Sequence, residues 1–233
     1  MFITAIITAG GKGERLQASE KKQYLPLAGR RIIFRALDAF IKHPAVDTIV
    51  VVFPEDDLSF GRNLITAEYD YPFICVTGGE TRQESVHKGL QACPKQTEVV
   101  LIHDAVRPFV RNDDIDKLLI KIESCVAVIP GSPVVNTIKK VKNGIVSGTI
   151  DREKLYNIHT PQVFRYSLIT NCHKRAAEAN LSFTDDAGLI EHFGYPVAIV
   201  ETENNIKITK PIDIIIAESL IKLWENKHDE SNK

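Results

Sequence analysis

Runs of apolar residues alternate with segments whose apolar residues recur at helical spacing through the first half of the chain. FITAII, VDTIVVVF (46–53) and EVVLIH are continuous, largely β-branched runs, which are typical of strands buried on both faces, and FICVTGG and CVAVIP predict two more. Helical spacing predicts helices over RIIFRALDAFIKH, 56–69, TRQESVHKGLQAC and 113–123. Strands that alternate with helices indicate an α/β fold, with a mostly parallel sheet and helices on both faces.

The pattern changes at Ser132. Between 132 and 160 the helical spacing is lost, and Asn143-Gly144 stands between two short alternating stretches, which favours a β-hairpin. A two-stranded ribbon is only marginally stable by itself, so we expect it to pack on something, most economically on a second copy of the subunit. Helices return over 165–193, and the strand-like segments YPVAIVE and NNIKIT precede a closing helix that starts at Pro211. We therefore treat residues 1–233 as one domain, with 132–160 as an arm within it.

Bulk composition narrows the classes of partner. The chain has 233 residues and a formal net charge of -1, so no global charge favours nucleic acid or an anionic membrane surface. No apolar run approaches the roughly 20 residues that a membrane helix needs. The four cysteines lack metal-ligand spacing and are too sparse for a disulfide scaffold. We expect reduced thiols and a cytoplasmic protein.

The unusual residues follow the predicted strands directly. Glycines follow the first strand, GGETR follows the third and HDAVRP follows the fourth. Ligands of open α/β sheets bind at the carboxyl ends of the strands, where these three segments should meet. The pattern predicts one binding site at this edge of the sheet.

The glycine-rich segment after the first strand, TAGGKGERL, indicates an anion site. Glycine lets the backbone approach a ligand closely, and consecutive free N–H groups can cradle phosphate oxygens. Arg15 and Lys22 add positive charge nearby. The segment is not a P-loop, because no Gly-Lys-Ser/Thr follows at the right spacing. It is not the dinucleotide fingerprint either, because Leu16 stands where the third glycine would be, and this disfavours an NAD-dependent dehydrogenase. A surface turn with solvated lysines is the alternative reading of the same residues.

Five further segments carry a family resemblance. AGGKGERL with KKQYLPLAG resembles the signature of sugar- and polyol-phosphate nucleotidyltransferases. GGETRQESV, HDAVRPFV, TIDREKLYNIHTPQVF, TDDAGLIEHFG and NNIKITKP resemble, in order, motifs of the 2-C-methyl-D-erythritol 4-phosphate cytidylyltransferases, over about residues 3–220. The resemblance implies a Rossmann-like domain, a protruding β-hairpin arm and a homodimer. It also implies transfer of CMP from CTP to the polyol phosphate with Mg²⁺ or another divalent cation.

By this resemblance four cations carry catalysis. Arg15 and Lys22 would stabilise the triphosphate, Lys207 would position the attacking phosphate, and Arg152 on the arm would bind that phosphate in the neighbouring subunit. The acceptor is a phosphate monoester with a second pKa of about 6, so it is largely dianionic at neutral pH and needs no general base. Each of these side chains could instead be a solvated surface charge.

The remaining candidates are binding residues. The resemblance and the strand-end placement assign to CTP the residues Ala9, Gly10, Gly11, Gly13, Gly79, Glu80, Ser85 and Asp104. Asp104 is also the candidate metal ligand, although it could simply cap the next turn. Arg107, Thr137 and Thr160 resemble contacts to the polyol phosphate, whereas Ser85 and the threonines could equally serve helix and strand structure.

Several neighbours and alternatives stay open at this point. His103 is interpreted as structural, and Asp185 and Asp186 could form a second carboxylate site or, as we favour, start a helix. Two positions depart from the family pattern: Lys21 stands where proline is usual, and Glu80 where aspartate is frequent. Ribitol 5-phosphate is the alternative acceptor, and a non-catalytic nucleotide-binding regulator on the same fold is the alternative function.

Overall fold

The structure, a computed structural model, describes residues 1–10, 20–203 and 205–231, and for 225–231 it describes the backbone only. The predicted ligands Gly11 and Gly13 and the predicted catalytic Arg15 lie outside the described residues. The strands are β1 (Ile3–Thr8), β2 (Pro26–Leu27), β3 (Arg30–Arg31), β4 (Thr48–Phe53), β5 (Ile74–Thr77), β6 (Val99–Asp104), β7 (Ala127–Pro133), β8 (Ile138–Lys142), β9 (Ile145–Ile150), β10 (Tyr156–Ile158), β11 (Gln162–Arg165) and β12 (Ala198–Glu201). The α-helices are α1 (Ile32–Ile41), α2 (Leu58–Glu68), α3 (Arg82–Gln91), α4 (Asn112–Ile122), α5 (Tyr166–Glu178), α6 (Asp186–His192) and α7 (Pro211–Ser231).

One eight-stranded sheet forms the centre of the molecule. Its order is β10-β7-β11-β6-β1-β4-β5, and β12 also pairs with β7. The strands β6, β1, β4 and β5 are mutually parallel, and β11 is inserted antiparallel between β6 and β7. The predicted mostly parallel sheet is confirmed. The insertion of β11 was not anticipated, because the segment before it was read only as part of the arm.

Alternation along β1 explains why helices cover both faces. Ile7 belongs to the apolar cluster under α1, α2 and α4, whereas the neighbouring Ile6 belongs to the cluster under α3, α5 and α6. Successive side chains of a strand point to opposite faces, so a continuous apolar run supplies both cores. The register pairs Thr8 with Val52 and with Asp104, which places the ends of β1, β4 and β6 at one edge.

The predicted hairpin forms a separate two-stranded sheet of β8 and β9. Asn143 and Gly144 have φ values of 51° and 78°, the left-handed pair that a two-residue hairpin turn requires. The base of the arm belongs to the central sheet, because β10 pairs with β7 through residues such as Tyr156 and Pro133. The free hairpin is therefore shorter than the predicted 132–160 segment.

The expectation of a strand in NNIKIT is wrong for residues 205–209, which form no strand. Side chains anchor this segment instead: the Asn205 carboxamide donates to the Thr160 carbonyl at 3.1 Å and accepts from the Phe109 amide at 3.1 Å. The Ile208 amide donates to the Val106 carbonyl at 2.9 Å, and Ile208 is buried in a third apolar cluster with α7. The segment thus lies against the loop after β6, which fixes Lys207 near that strand's end.

Two further expectations concern single features of the chain. The closing helix α7 begins at Pro211, as predicted. All four cysteines are free, in agreement with the expectation of reduced thiols. Across 1–10, 20–203 and 205–231, no helix has both the length and the apolar character needed to cross a membrane.

Candidate active site

A cavity of about 380 Å³ opens at the carboxyl edge of the sheet. Its walls come from the end of β1, the turn after β5, the end of β6 and the segment before α7. The lining residues are Thr8, Ala9, Gly10, Lys22, Gln23, Gly79, Glu80, Thr81, Arg82, Ser85, Asp104, Val106 and Lys207. Apart from Gly11, Gly13 and Arg15, which lie outside the described residues, every residue predicted to bind CTP lines this cavity, together with the predicted catalytic Lys22 and Lys207.

Asp104 is the electrostatic centre of the site. Its carboxylate is 5% exposed and accepts from Lys207 Nζ at 2.8 Å, from Arg82 Nε at 3.0 Å and from Arg107 Nε at 3.4 Å. Burial alone would raise the pKa of this carboxyl group, but the neighbouring cations, Arg82 foremost, hold the pKa well below its usual range. Asp104 therefore stays ionised at neutral pH and forms ion pairs with three cationic side chains at once.

A second, smaller cavity of about 110 Å³ adjoins the first. Both are lined by Arg82, Asp104 and Lys207, and the smaller one also contains Arg107 and Thr160, two of the predicted polyol-phosphate ligands. The arrangement offers a larger compartment and a smaller one that meet at the same three charged side chains. Two anionic substrates could thus approach each other across Lys207.

The hydroxyl of Thr160 contacts the last two residues of β6, the buried His103 and Asp104. It lies 2.8 Å from His103 Nδ1 and accepts from the Asp104 amide at 3.2 Å, while His103 Nε2 lies 3.0 Å from the Arg107 carbonyl. Burial lowers the pKa of His103 to about 4, so the imidazole is neutral near pH 7. A proton on Nε2 then satisfies both hydrogen bonds. His103 is fully enclosed and supports the loop, in agreement with the structural interpretation.

Hydrogen bonds to the side chains of the first turn of α3 hold the turn after β5 in place. The Gly79 amide donates to Ser85 Oγ at 3.1 Å, and Ser85 Oγ donates to the Thr81 carbonyl at 2.9 Å. Thr81 and Glu84 form a reciprocal capping box at the start of α3. The Glu80 amide donates to Glu84 Oε2 at 2.8 Å, which leaves the Glu80 side chain at the cavity wall. Ser85 thus has a structural role in the turn as well as a place in the lining.

The structure distinguishes the two adjacent lysines. Lys22 lines the larger cavity, whereas Lys21 Nζ forms an ion pair with Asp57 Oδ1 at 2.7 Å. Lys22 is thus the lysine that the fold places at the site. The next residue, Gln23, is fully buried and donates from its carboxamide to the Ala9 carbonyl at 2.8 Å.

Sequence reasoning missed Arg82 as a site residue. The guanidinium spans two buried carboxylates, with Nε 3.0 Å from Asp104 Oδ1 and Nη1 2.7 Å from Asp186 Oδ2. Asp186 also lies 3.1 Å from His173 Nε2. A usable signal was present, since Arg82 is the first residue of α3 and the positive end of a helix disfavours a cation unless other charges hold it there.

Asp185 and Asp186 have different roles. Asp185 caps α6 by accepting from the Gly188 amide at 3.0 Å, as the helix-start interpretation predicted. Asp186 turns inward to Arg82 and His173. Neither residue joins Asp104 in a carboxylate cluster, and no group of three or more potential metal-binding side chains lies within the described part of the chain.

The two predicted ligands on the arm lie away from both cavities. Thr137 is exposed at the start of the hairpin, and Arg152 is exposed beyond its end with its guanidinium donating to the Val135 carbonyl. Neither residue is among those that line the two cavities. The expected role of Arg152 in the site of a second subunit and that of Thr137 in polyol-phosphate binding stay predictions.

Comparison with known proteins agrees with this geometry. The family model described as 2-C-methyl-D-erythritol 4-phosphate cytidylyltransferase matches residues 3–223. Curated proteins of that name from Syntrophotalea carbinolica and Geobacillus kaustophilus are 40% and 41% identical to this chain, each over 95% of this chain and 97% of the relative.

A solved structure extends the agreement to three dimensions. The 4-diphosphocytidyl-2C-methyl-D-erythritol synthase from Anaerococcus prevotii superposes with a TM-score of 0.84 at 34% identity, covering 95% of this chain and 96% of that one. The family match and the relatives span almost the whole chain, including every described wall of the two cavities. This chain therefore belongs to the 2-C-methyl-D-erythritol 4-phosphate cytidylyltransferase family.

Proposed function

We propose that this protein transfers CMP from CTP to 2-C-methyl-D-erythritol 4-phosphate and releases pyrophosphate. The observation that carries the proposal is the Lys207–Asp104 contact of 2.8 Å at the junction of the two cavities. Lys207 there faces both compartments, so that one cation serves both reacting anions. CTP occupies the larger cavity and the phosphate end of the acceptor occupies the smaller one.

The reaction is an in-line displacement at phosphorus. An oxygen of the acceptor's phosphate dianion attacks the α-phosphorus of CTP and forms a new P–O bond, while the bond from the α-phosphorus to the bridging oxygen breaks. The bonding electron pair leaves with pyrophosphate, and the product is 4-diphosphocytidyl-2-C-methyl-D-erythritol. The nucleophile is already deprotonated near pH 7, so no side chain has to remove a proton. Proximity and charge neutralisation supply the catalysis.

The side chains divide this work by position. Lys22 and Arg15 neutralise the triphosphate and the developing negative charge on the α-phosphoryl group and the leaving pyrophosphate. Lys207 and Arg107 neutralise the attacking phosphate. Asp104 orients the cations through its buried carboxylate. The turn amides after β5, including that of Gly79, and the hydroxyl of Ser85 lie beside the position proposed for the cytosine base.

A divalent cation, Mg²⁺ in the first instance, completes the proposal. Mg²⁺ prefers oxygen ligands and commonly binds through one or two carboxylates together with substrate phosphates. Asp104 provides an ionised carboxylate in the wall of the larger cavity, and this donor fits a metal that takes its other ligands from CTP and water. When bound, the metal would offset triphosphate charge.

We also propose an oligomeric assembly and a cellular location for this enzyme. A homodimer would bring Arg152 and Thr137 of one arm to the smaller cavity of the other subunit, since neither residue lines either of the two cavities in its own chain. We place the enzyme in the cytoplasm, where CTP is available.

Pyrophosphate release tests the function directly. Purified protein with CTP, 2-C-methyl-D-erythritol 4-phosphate and Mg²⁺ should release pyrophosphate, and Lys22→Met should abolish turnover while the circular dichroism spectrum is unchanged. Ribitol 5-phosphate in place of the acceptor tests the alternative substrate, and a higher kcat/KM with it would overturn the assignment. CTP binding without turnover on either acceptor would favour the non-catalytic regulator.

A further inference from the structure

The ion pair between Lys21 and Asp57 lies immediately beside the proposed catalytic lysine. Lys21 Nζ is 2.7 Å from Asp57 Oδ1, and the side chains are 35% and 13% exposed. Asp57 ends a 3-10 turn, Glu55–Asp57, between β4 and α2. The pair therefore connects the segment that carries Lys22 to the connection between β4 and α2.

The residues after Lys22 are anchored as well. Gln23 donates to the Ala9 carbonyl at the end of β1, and Tyr24 is 2% exposed with its ring 5.0 Å from Phe60 in an edge-to-face contact. The Tyr24 hydroxyl donates to Asp57 Oδ2 at 3.4 Å. Burial and the Asp57 charge raise the pKa of Tyr24, so this hydroxyl stays a donor. Asp57 thus receives both Lys21 and Tyr24, the residues on either side of Lys22 and Gln23.

The backbone at Lys21 is already in the conformation of a proline. Its φ is -62° and its ψ is 139°, and proline fixes φ at about -65°. Lysine has no such restraint and leaves this extended conformation freely in the absence of other contacts. The side-chain contact to Asp57 therefore does at this position what a pyrrolidine ring would do covalently.

We infer that Lys21 is a positioning residue for Lys22, and that its ion pair with Asp57 fixes the backbone from which Lys22 reaches the cavity. The inference rests on the proposed function, because it assumes that Lys22 acts on CTP. A partly exposed ion pair contributes little to stability, whereas a misplacement of about 1 Å in a catalytic group can cost roughly 100-fold in rate. The effect should therefore appear in turnover and not in folding.

Three variants test this role. Lys21→Met keeps the length of the side chain without its charge, and we expect kcat to fall about 10-fold with little change in the thermal midpoint. Lys21→Pro should return kcat to within about 2-fold of the original enzyme, because the ring restores the φ restraint without an ion pair. Asp57→Asn should match Lys21→Met by itself, and it should have no further effect in the Lys21→Pro background.

The controls separate this inference from the proposed function. Lys174→Met removes an exposed lysine paired to Glu178 on α5 and should leave kcat unchanged. Full activity of Lys21→Met alongside an inactive Lys22→Met would overturn the positioning role and leave the proposed function intact. A Lys21→Pro enzyme as slow as Lys21→Met would also overturn it. Full activity of Lys22→Met would instead remove Lys22 from the mechanism, and no pyrophosphate release by the original enzyme would remove the proposed function.

Discussion

Arg82 Nη1 lies 2.7 Å from Asp186 Oδ2, and this contact joins α6 to the active site. Through its Nε the same guanidinium reaches Asp104, so a continuous series of polar contacts runs from His173 on α5 to Lys207 beside α7. Asp186 is 2% exposed. Burial alone would raise its pKa, but Arg82 and then His173 outweigh that effect and lower the pKa. The ionised Asp186 thus fixes the orientation of Arg82 at the cavity wall.

Asp186→Asn should weaken both stability and CTP use. The substitution removes one of the two buried carboxylates that hold the partly exposed Arg82 guanidinium, and breaking a buried pair typically costs about 3 kcal/mol. We expect the free energy of unfolding to fall by about 2–3 kcal/mol and KM for CTP to rise several-fold. Urea unfolding and steady-state kinetics with varied CTP measure the two effects.

The matched control for this variant is Glu178→Gln. It neutralises an acid at the end of the neighbouring helix α5, but Glu178 is 65% exposed and its lysine partner is 3.9 Å away. It should change unfolding by less than about 0.5 kcal/mol. An Asp186→Asn enzyme with the original KM for CTP would show that Arg82 keeps its orientation from Asp104 alone.

Lys207→Met should lower turnover more than it lowers binding. Lys207 faces both cavities and neutralises the attacking phosphate in the proposed mechanism. Loss of one positioned charge costs about 100-fold or more in kcat by analogy with an oxyanion donor. Pyrophosphate release at saturating substrates measures the fall. Lys210→Met, three residues on and directly before α7, is the control, and an equal loss there would place the effect in the segment and not in the Lys207 charge.

Much of this site follows from sequence, because buried parallel strands are readable and their carboxyl ends share one edge. Apolar runs located β1, β4, β5, β6 and β7, and the residues that follow three of these strands meet at the cavity. The site residue that sequence reasoning missed, Arg82, depends on partners that are distant along the chain. Arg82 becomes a site residue only because Asp104 and Asp186, the latter more than 100 positions away, converge on it.

The wrong strand in NNIKIT has a similar cause. The alternation there predicts a half-buried strand, yet the alternating residues contact different parts of the protein. Ile208 enters the cluster of α7, while Asn205 anchors the loop after β6. Periodicity records which side chains are buried and does not record whether a neighbouring strand is available for pairing.

Gly78→Ala should disturb the turn after β5. A Cβ atom at this position would lie 2.6 Å from Ser85 Oγ and 3.2 Å from Val52 Cγ1, which is too close for both neighbours. We expect a loss of about 1–3 kcal/mol in the free energy of unfolding, as in overpacked cores, together with a higher KM for CTP because Ser85 moves.

Gly148→Ala in β9 is the control for packing, since a Cβ atom there would meet nothing within 4 Å. Its free energy of unfolding should stay within about 0.5 kcal/mol of the original value. If Gly78→Ala were equally silent, the close contact between the turn and Ser85 would have no energetic consequence.

Two buried histidines make stability depend on pH above the range of the carboxylates. Burial lowers the pKa of His103 to about 4, and burial together with Arg107 lowers that of His159 to about 4. Both are neutral in the folded protein and bind protons once unfolded, where the pKa is about 6.5. Their contribution is fully present above pH of about 6.5 and is lost as the pH falls toward 4. Near pH 5 unfolding should therefore take up nearly two protons.

Urea unfolding at pH 7, 6 and 5 measures this proton uptake from the slope of stability against pH. The more accessible of the two is His159, whose Nε2 lies 3.1 Å from Ser132 Oγ. His159→Gln retains a polar group and should remove about one proton from the slope near pH 5, whatever its effect at pH 7. Identical slopes for the His159→Gln and original proteins would mean that His159 is already protonated in the folded state.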